Sequence, residues 1–407
     1  MKEFFNVLDI ESVLELKDRF GTMGIESVGL GDALGRILAA DVVAVDDIPG
    51  FERATMDGFA VQAASTYGAT ESNPAYLEVV GAVAMGKAPD ATVGAGQAVR
   101  IATGGMLPAG ADSVVMLEHT DCIDETTIEV YRSVAPGQNR VAGDEDAARG
   151  QCLLAKGSFL RAQEIGILAA GGCASVQVYM RPRVGIISTG DEVVPLDAKP
   201  APGQIRDINS HTLSALVQAA GGRAVPYGAV GDQYEALASI CEKALKENDM
   251  VLISGGSSVG MRDLTLDALE ALDQSEILVH GISIRPGKPT ILAQCGAKAF
   301  WGLPGHVASA MVVFLVVVRP FIDHLSGRQA KAPISVRARL SRNLASVQGR
   351  VDYIRVRLTE IDGALTAEPV LGQSGLIHTM VEADGLVAID MNSEGLDKGA
   401  DVDVMII

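Results

Sequence analysis

The stretch from about 181 to 327 constrains the fold most, because its strands are apolar from end to end. "RVGIIST" and "DMVLIS" offer no polar face, and such a strand is stable only with both sides covered. The covers are legible between the strands. "NSHTLSALVQAAGG" aligns Leu213, Leu216, Val217 and Ala220 on one helical face, and "DQYEALASICEKALKEN" aligns Tyr234, Leu237, Cys241 and Leu245. "RAVPYGAV" lies between these helices, "LTLDALEAL" reads as a further helix, and "PTILA", "AFWGL" and a helix from Val307 close the stretch. Strands alternating with helices predict a three-layer α/β/α arrangement on a mostly parallel sheet.

The flanks follow other rules, and no internal repeat links them. In residues 1 to about 180, "IESVLELKDRF" and "GDALGRILAAD" carry helical spacing, while "YLEVVGAV" and "DSVVML" read as strands among many glycines and prolines. That predicts a β-rich region with short helices. From 330 to 407, "ISVRARL", "VDYIRVRL", "GLVAID" and "DVDVMII" alternate with period two between turns at "DG", "EG" and "KG". Such patterning predicts a small β-barrel or sandwich.

Composition narrows the function. A chain of 407 residues has room for roughly two to four domains, each with its own core. A net charge of −18 argues against a non-specific nucleic-acid binder, although local cationic loops can still hold anions. Five scattered cysteines, at 122, 152, 173, 241 and 295, contain no C-x-x-C pair and read as reduced thiols. "MKEFFNVLDIESV" lacks the apolar core of a signal peptide, and "VASAMVVFLVVV" is too short to span a bilayer. These features lead to the expectation of a cytoplasmic protein with neither nucleic-acid nor membrane partners.

Four unusual loops each follow a predicted strand: "STGDEV" (188–193), "SGGSSVG" (254–260), "RPGKP" (285–289) and "GLPGHVAS" (302–309). Ligands of doubly wound sheets bind outside the carboxyl ends of the strands, so the four are expected to line one pocket. Ser254, Gly255, Gly256, Ser257 and Ser258, with Gly305 and Ser309, offer hydroxyls and backbone N–H groups suited to an anion. Neither loop has the G-x-x-x-x-G-K-[ST] pattern of a P-loop. Arg285 and Lys288, three residues apart, form a cationic clamp for an oxyanion or two solubilising surface charges. Asp191, Glu192 and Asp263 bring carboxylates to the same edge, where oxygen donors beside phosphates suit Mg²⁺. Asp263 also precedes "LTLDALEAL" as a helix cap, and capping is the simpler account of Asp232. Farther upstream, Asp57 sits in "MDG", which alone reads as a turn. Asp144, Glu145 and Asp146 read as a solvated acidic loop.

In order along the chain, "MDGFAV", "RIATGGMLPAGADSVVM", "STGDE", "DINSHTL", "ISGGSSVG", "RPGKP" and "GLPG" resemble the MoeA/gephyrin family of molybdenum insertases. The resemblance covers nearly the whole chain. The middle motifs alone also occur in pterin adenylyltransferases and CinA-like proteins, and the N-terminal motifs decide for the insertases. The resemblance implies a multidomain α/β plus β fold: an N-terminal region (1–180) with an inserted β-rich part at about 45–145, a molybdopterin-binding α/β domain (181–327), and a C-terminal β-barrel (328–407).

The resemblance further implies a reaction in which adenylylated molybdopterin loses AMP, with Mg²⁺ assisting, and takes up molybdate or tungstate. It implies a homodimer whose cleft lies between the α/β domain of one subunit and the N-terminal region of the other, and transient contact with a pterin adenylyltransferase. By motif, Asp57, Thr103, Glu192, Asp232, Asp263, Arg285 and Pro304 fall on family active-site positions. The implied roles are catalysis for Asp263, Glu192 and Asp57, metal binding for Asp263, Glu192 and Asp232, and substrate binding for Thr103, Arg285, Lys288 and Pro304. A same-fold adenylyltransferase and a scaffold of cofactor assembly are the alternatives. The chain departs from the family pattern at Gly281 and Arg285 (usually a lysine pair), at His306 and Val307 (often Asn and Pro), and at "GDEDA". His306 is either a tuner of oxyanion selectivity or a satisfied loop histidine.

Overall fold

The computed structural model describes residues 7–255, 261–329, 333–361 and 363–407, and omits the side chains of 261–263. Its centre is a six-stranded sheet ordered Arg223–Val230, Arg183–Thr189, Met250–Ser254, Lys298–Leu303, Ile291–Cys295, Ser275–His280. The first four are mutually parallel. Ile291–Cys295 runs antiparallel between its neighbours, so five strands share one direction and the sheet is mostly parallel, as expected.

Both faces are covered. On one, Ile186, Leu252 and Trp301 pack against Leu213 and Val217 of the helix Asn209–Ala219 and against Phe314 and Phe321. On the other, Ile187, Val251, Ile253 and Phe300 meet Leu237 and Cys241 of Tyr234–Glu247 and Leu269 of Met261–Glu270. This is why these strands lack polar residues: alternate side chains enter different cores. Pro226 is tolerated because its strand lies at the sheet edge, where the register also shifts.

The apolar run at Val307 extends further than its composition suggests, continuing to Leu325 as one 19-residue helix of mean hydropathy 1.7. A π-helical segment at Phe314–Val318 precedes Pro320. The helix meets length and composition tests for a membrane span, yet most of it is buried inside the protein, the environment of a core helix.

The N-terminal region holds a second six-stranded sheet, built from residues 58–130, with Phe59, Leu77, Val115 and Ile128 in its core. The chain enters and leaves it through short antiparallel pairs, Val42–Val43 with Cys152–Leu154 and Arg53–Ala54 with Arg140–Val141. The expected helix in "GDALGRILAAD" is absent. Only a 3₁₀ turn at Leu30–Asp32 forms; Gly35 at φ +72° then turns the chain, and Ile37 and Leu38 make β-bridges to Phe159 and Val178. A left-handed glycine ends a helix regardless of the apolar spacing around it.

In the C-terminal region, Ser335–Leu340, Val351–Ile361, Ala364–Pro369, Gly385–Ile389 and Asp401–Ile406 close into a five-stranded barrel around Val356, Ala367, Val387 and Val404. Ile284–Arg285 adds to its edge beside Val351 and Asp352. The barrel also packs on the long helix, where Met380 and Leu386 meet Ala308 and Val312.

Candidate functional site

The parallel strands point their carboxyl ends at one cavity of about 490 Å³. Its walls come from Ser188–Gly190 and Glu192, from Arg206–Asn209, from Asp232, from Ser254 and Gly255, from Gly305–Val307, and from Gly375 of the barrel. Three of the four expected loops therefore converge. "RPGKP" does not line the cavity, because the hairpin Ile291–Leu303 inserts a strand and sets the loop two positions along the sheet. Arg285 instead lies 3.4 Å from the fully buried Asp352, which Arg350 also holds at 2.8 Å. Lys288 is exposed beside it.

Gly255 takes φ +126°, and a Cβ there would sit 2.2 Å from Thr189 Oγ1. Only glycine lets the two loops approach so closely, and the close approach shapes the cavity floor. Beneath it, Asp207 is buried and accepts from Ser188 Oγ at 2.8 Å, from the Ser210 backbone N–H at 3.0 Å, and from Ser210 Oγ. Asn209 donates through Nδ2 to Gly305 O at 2.8 Å, which leaves its Oδ1 buried and unpartnered.

Asp232 does not cap the helix that follows; the cap position is Gln233. Its Oδ2 accepts from the Asp191 N–H at 3.3 Å, its own N–H donates to Asp191 Oδ1 at 3.0 Å, and its Oδ1 is buried without a partner. Burial first, then the charges of Asp191 and Glu192, push its carboxyl above the usual range despite the opposing Asp191 hydrogen bond. A carboxylate held at that cost beside Glu192 is a ready oxygen donor for a hard cation. Ser254 Oγ is a further buried atom without a partner. Among the described residues no group of three His, Cys, Asp or Glu is placed to share one metal ion. The expected third metal ligand, Asp263, lies in Met261–Glu270 with a side chain outside the described residues, as Gly256, Ser257 and Ser258 lie outside them.

Pro304 is buried behind Gly305, and Ser309 is buried in the first turn of the long helix; neither lines the cavity. His306 caps that helix and its Nδ1 meets Ser374 Oγ at 2.8 Å. Arg206, Asp207, Asn209, Ser374 and Gly375 were not singled out by sequence reasoning. "DINSHTL" carried the signal for Asp207 and Asn209, since two side chains that prefer turns stand at the start of an amphipathic helix. Ser374 and Gly375 arrive from the barrel, about 70 residues downstream of the helix cap, and carry no local signature.

Asp57 and Thr103 lie elsewhere, exposed on the N-terminal sheet. Asp57 ends the bend at 55–57 that joins Arg53–Ala54 to Gly58–Val61, and at Gly58 a Cβ would fall 1.8 Å from Val115 O. Asp57 Oδ1 accepts the Thr103 N–H at 2.7 Å, which holds its carboxyl below the usual range. Asp144, Glu145 and Asp146 are exposed, and Glu145 accepts the Ala142 N–H at 2.8 Å.

Comparison with known proteins gives a consistent answer along the chain. The MoeA N-terminal region (domains I and II) matches residues 8–172, the "probable molybdopterin binding domain" matches 185–324, and the MoeA C-terminal region (domain IV) matches 337–407. The molybdopterin molybdenumtransferase of Nostoc sp. is 36% identical over 386 residues, covering 93% of this chain and 88% of its own. That of Bacillus subtilis is 32% identical, covering 94% and 90%. A crystal structure of a molybdopterin biosynthesis MoeA protein from Pyrococcus horikoshii superposes with a TM-score of 0.85 at 31% identity, covering 99% of this chain and all of the other.

Proposed function

The chain belongs to the MoeA family, and from that premise we propose that it inserts molybdate into an adenylylated molybdopterin with release of AMP. It is an enzyme of molybdenum-cofactor biosynthesis, of the molybdopterin molybdenumtransferase kind. One observation carries the finer reading: a cavity at the carboxyl edge of the sheet joins a partly buried, half-satisfied carboxylate, Asp232, to the close-packed Gly190 and Gly255 turns.

The substrate's pyrophosphate lies across that edge. Glu192 and Asp232 are the residues that would hold Mg²⁺, with Asp263, and their all-oxygen donor set fits that ion. When bound, Mg²⁺ supplies charge neutralisation on the phosphoryl oxygens. The N–H groups around Gly255 and Gly305 orient the oxyanions as the phosphoanhydride P–O bond breaks with water as acceptor and AMP leaves. Asp207 holds Ser188 and Ser210 in place below.

In this reading the protein works as a cytoplasmic homodimer. Asp57 and Thr103, exposed in one chain, complete the cleft of a second copy, with Arg285 and Lys288 on its flank and a pterin adenylyltransferase delivering substrate by transient contact. The deciding experiment combines purified protein, adenylylated molybdopterin and Mg²⁺ with molybdate or tungstate, and follows AMP. Oxyanion-dependent AMP release that Asp263→Ala and Asp232→Asn lack supports the reading. Tight pterin binding without AMP release by the wild type overturns it.

A further inference from the structure

A second, smaller cavity of about 180 Å³ lies where the N-terminal region packs on the α/β domain. Three segments meet there: Arg36 and Tyr179–Arg181 from the N-terminal region, Gln218–Gly221 at the end of the helix Asn209–Ala219, and Asp323, Ser326 and Arg328 at the end of the long helix. Both helices start at the large cavity, whose walls include Asn209 and Val307, and both finish here. At 1.5 Å per residue they span roughly 16 and 28 Å. The two cavities are therefore opposite ends of the same pair of rods.

The charge of this pocket runs against that of the chain. The molecule carries −18 overall, yet Arg36, Arg181 and Arg328 line the pocket beside a single carboxylate, Asp323. Asp323 is already occupied, with Arg328 Nη1 at 3.2 Å and Arg319 Nε at 3.9 Å. Arg36 is buried; its Nη2 donates to Tyr179 O at 2.8 Å and to Glu26, which leaves the Nη1 and Nε donors for the pocket. The Arg328 guanidinium lies over the Phe159 ring, 4.6 Å from its centroid. Arg181 is exposed at the rim and has no hydrogen-bond or ion-pair partner among the described residues. The two helix ends bring about half a negative charge each, which four arginines against Glu26 and Asp323 outweigh. Their last carbonyls are also taken, Gln218 O by the Gly221 N–H and Asp323 O by the Arg328 N–H, both at 2.9 Å.

We propose that this pocket is an effector site for a phosphate group, free or as a monoester, coupled to the large cavity by the two helices. Guanidinium forks match phosphate geometry, and two of the three here are held by protein contacts before any ligand arrives. Size sets a limit. At about 30 Å³ per water the pocket holds about six waters, well below the roughly 300 Å³ at which pockets for whole organic ligands begin. The phosphate head enters, and the remainder of a monoester stays outside. Once bound, it fastens the N-terminal region, which carries Asp57, to both helices that shape the large cavity. A ligand that prefers the fastened arrangement shifts the population towards it, and AMP release responds. The binding half stands on geometry alone; the coupling half rests on the insertase reading.

Calorimetric titration with inorganic phosphate and with AMP, on wild type and two variants, tests the binding half. Arg181→Ala removes a cation that has no protein partner, and Ala219→Trp fills the pocket from an exposed position, so neither disturbs the core. Each weakens phosphate binding by about 10- to 100-fold, the range of one charge-assisted hydrogen bond, while Asp232→Asn in the large cavity leaves it unchanged. A parallel loss of AMP affinity identifies a monoester as a ligand; a loss confined to inorganic phosphate identifies the free ion. In assays of AMP release, phosphate lowers the wild-type kcat by about twofold or more with KM for molybdate unchanged, and has no effect on Arg181→Ala. Phosphate affinity that is equal in wild type and both variants overturns the site. So does inhibition that raises the molybdate KM alike in all three proteins, because the ion then occupies the large cavity. Binding that depends on Arg181 with AMP release untouched overturns the coupling. Failure of the wild type to release AMP, with phosphate binding that still depends on Arg181, overturns the insertase reading and leaves the phosphate site standing.

Discussion

Two carboxylates expected in one active site live in opposite environments. Asp232 is partly buried, its pKa raised by desolvation and by Asp191 and Glu192, with one oxygen hidden and unpartnered. Asp57 is exposed, its pKa lowered by a single N–H from Thr103. The first is charge stored in a preformed cavity at a cost to folding; the second is charge presented on a surface. On the proposed homodimer, the cavity of one chain would be completed by the exposed Asp57 surface of a second copy. That contrast gives the pair different expected responses to the same substitution.

The largest effect belongs to the backbone that shapes the buried half. Gly255→Ala places a methyl 2.2 Å from Thr189 Oγ1 and 2.4 Å from Thr189 O, at a φ of +126° that alanine avoids. Contact with fixed backbone cannot be relieved by a rotamer change, so the two loops separate. About 3 kcal/mol of stability is lost, with AMP release falling at least a hundredfold. Gly104→Ala on the exposed half is the control. It also takes a left-handed φ, +83°, but meets only the flexible Met85 Cε at 3.5 Å, so about 1 kcal/mol is expected. Denaturant melts of the two variants check the difference, and equal losses would erase the distinction between the halves.

Much of this was legible from the residues. "RVGIIST" and "DMVLIS" announced strands buried on both faces, and Leu213, Val217, Leu237 and Cys241 occupy the cores their spacing indicated. The barrel strand Ala364–Pro369 was not recognised because "ALTAEP" contains too few apolar residues to show a period. Loop "RPGKP" was correctly referred to the carboxyl edge, but sequence order cannot reveal that an antiparallel strand separates it from the cavity. Asp232 read as a cap because position and residue type suit one; only the structure shows its oxygens turned to Asp191 and the interior. Contacts between distant segments, such as Ser374 on His306, leave no periodic trace at all.

A smaller effect, of opposite sign, is expected at Asp232. Its folded pKa lies above the unfolded one, so the folded state holds the proton more tightly, and stability falls as pH rises through that interval. Asp232→Asn removes the loss. The variant melts at or slightly above the wild-type temperature at neutral pH, and its advantage vanishes in acid where both carboxyls are protonated. Mg²⁺ reverses the ranking, because a ligand that binds the folded state raises the wild-type melting temperature and leaves Asp232→Asn where it was. Calorimetric scans with and without Mg²⁺ measure this. A variant that is less stable at neutral pH without metal would mean that Asp232 serves the fold rather than a ligand.

The smallest effect on stability is expected at Asp57, and it is the most informative about the exposed half. The depressed pKa means that its contribution is present at neutral pH and lost as pH falls through the folded value. Water competes for both partners at this exposed position, so Asp57→Asn should melt within about a degree of wild type. If the surface completes the cleft of a second copy, AMP release nevertheless falls sharply, because the carboxylate is missing where substrate passes. Mixing settles which copy needs it. An inactive Asp57→Asn protein combined with an inactive Asp232→Asn protein forms some dimers in which one cleft carries both native carboxylates, so activity returns to about a quarter of wild type. Such complementation requires that the two residues of one working site come from different chains. Activity that stays absent after the subunits have exchanged would place both carboxylates of each site in the same chain.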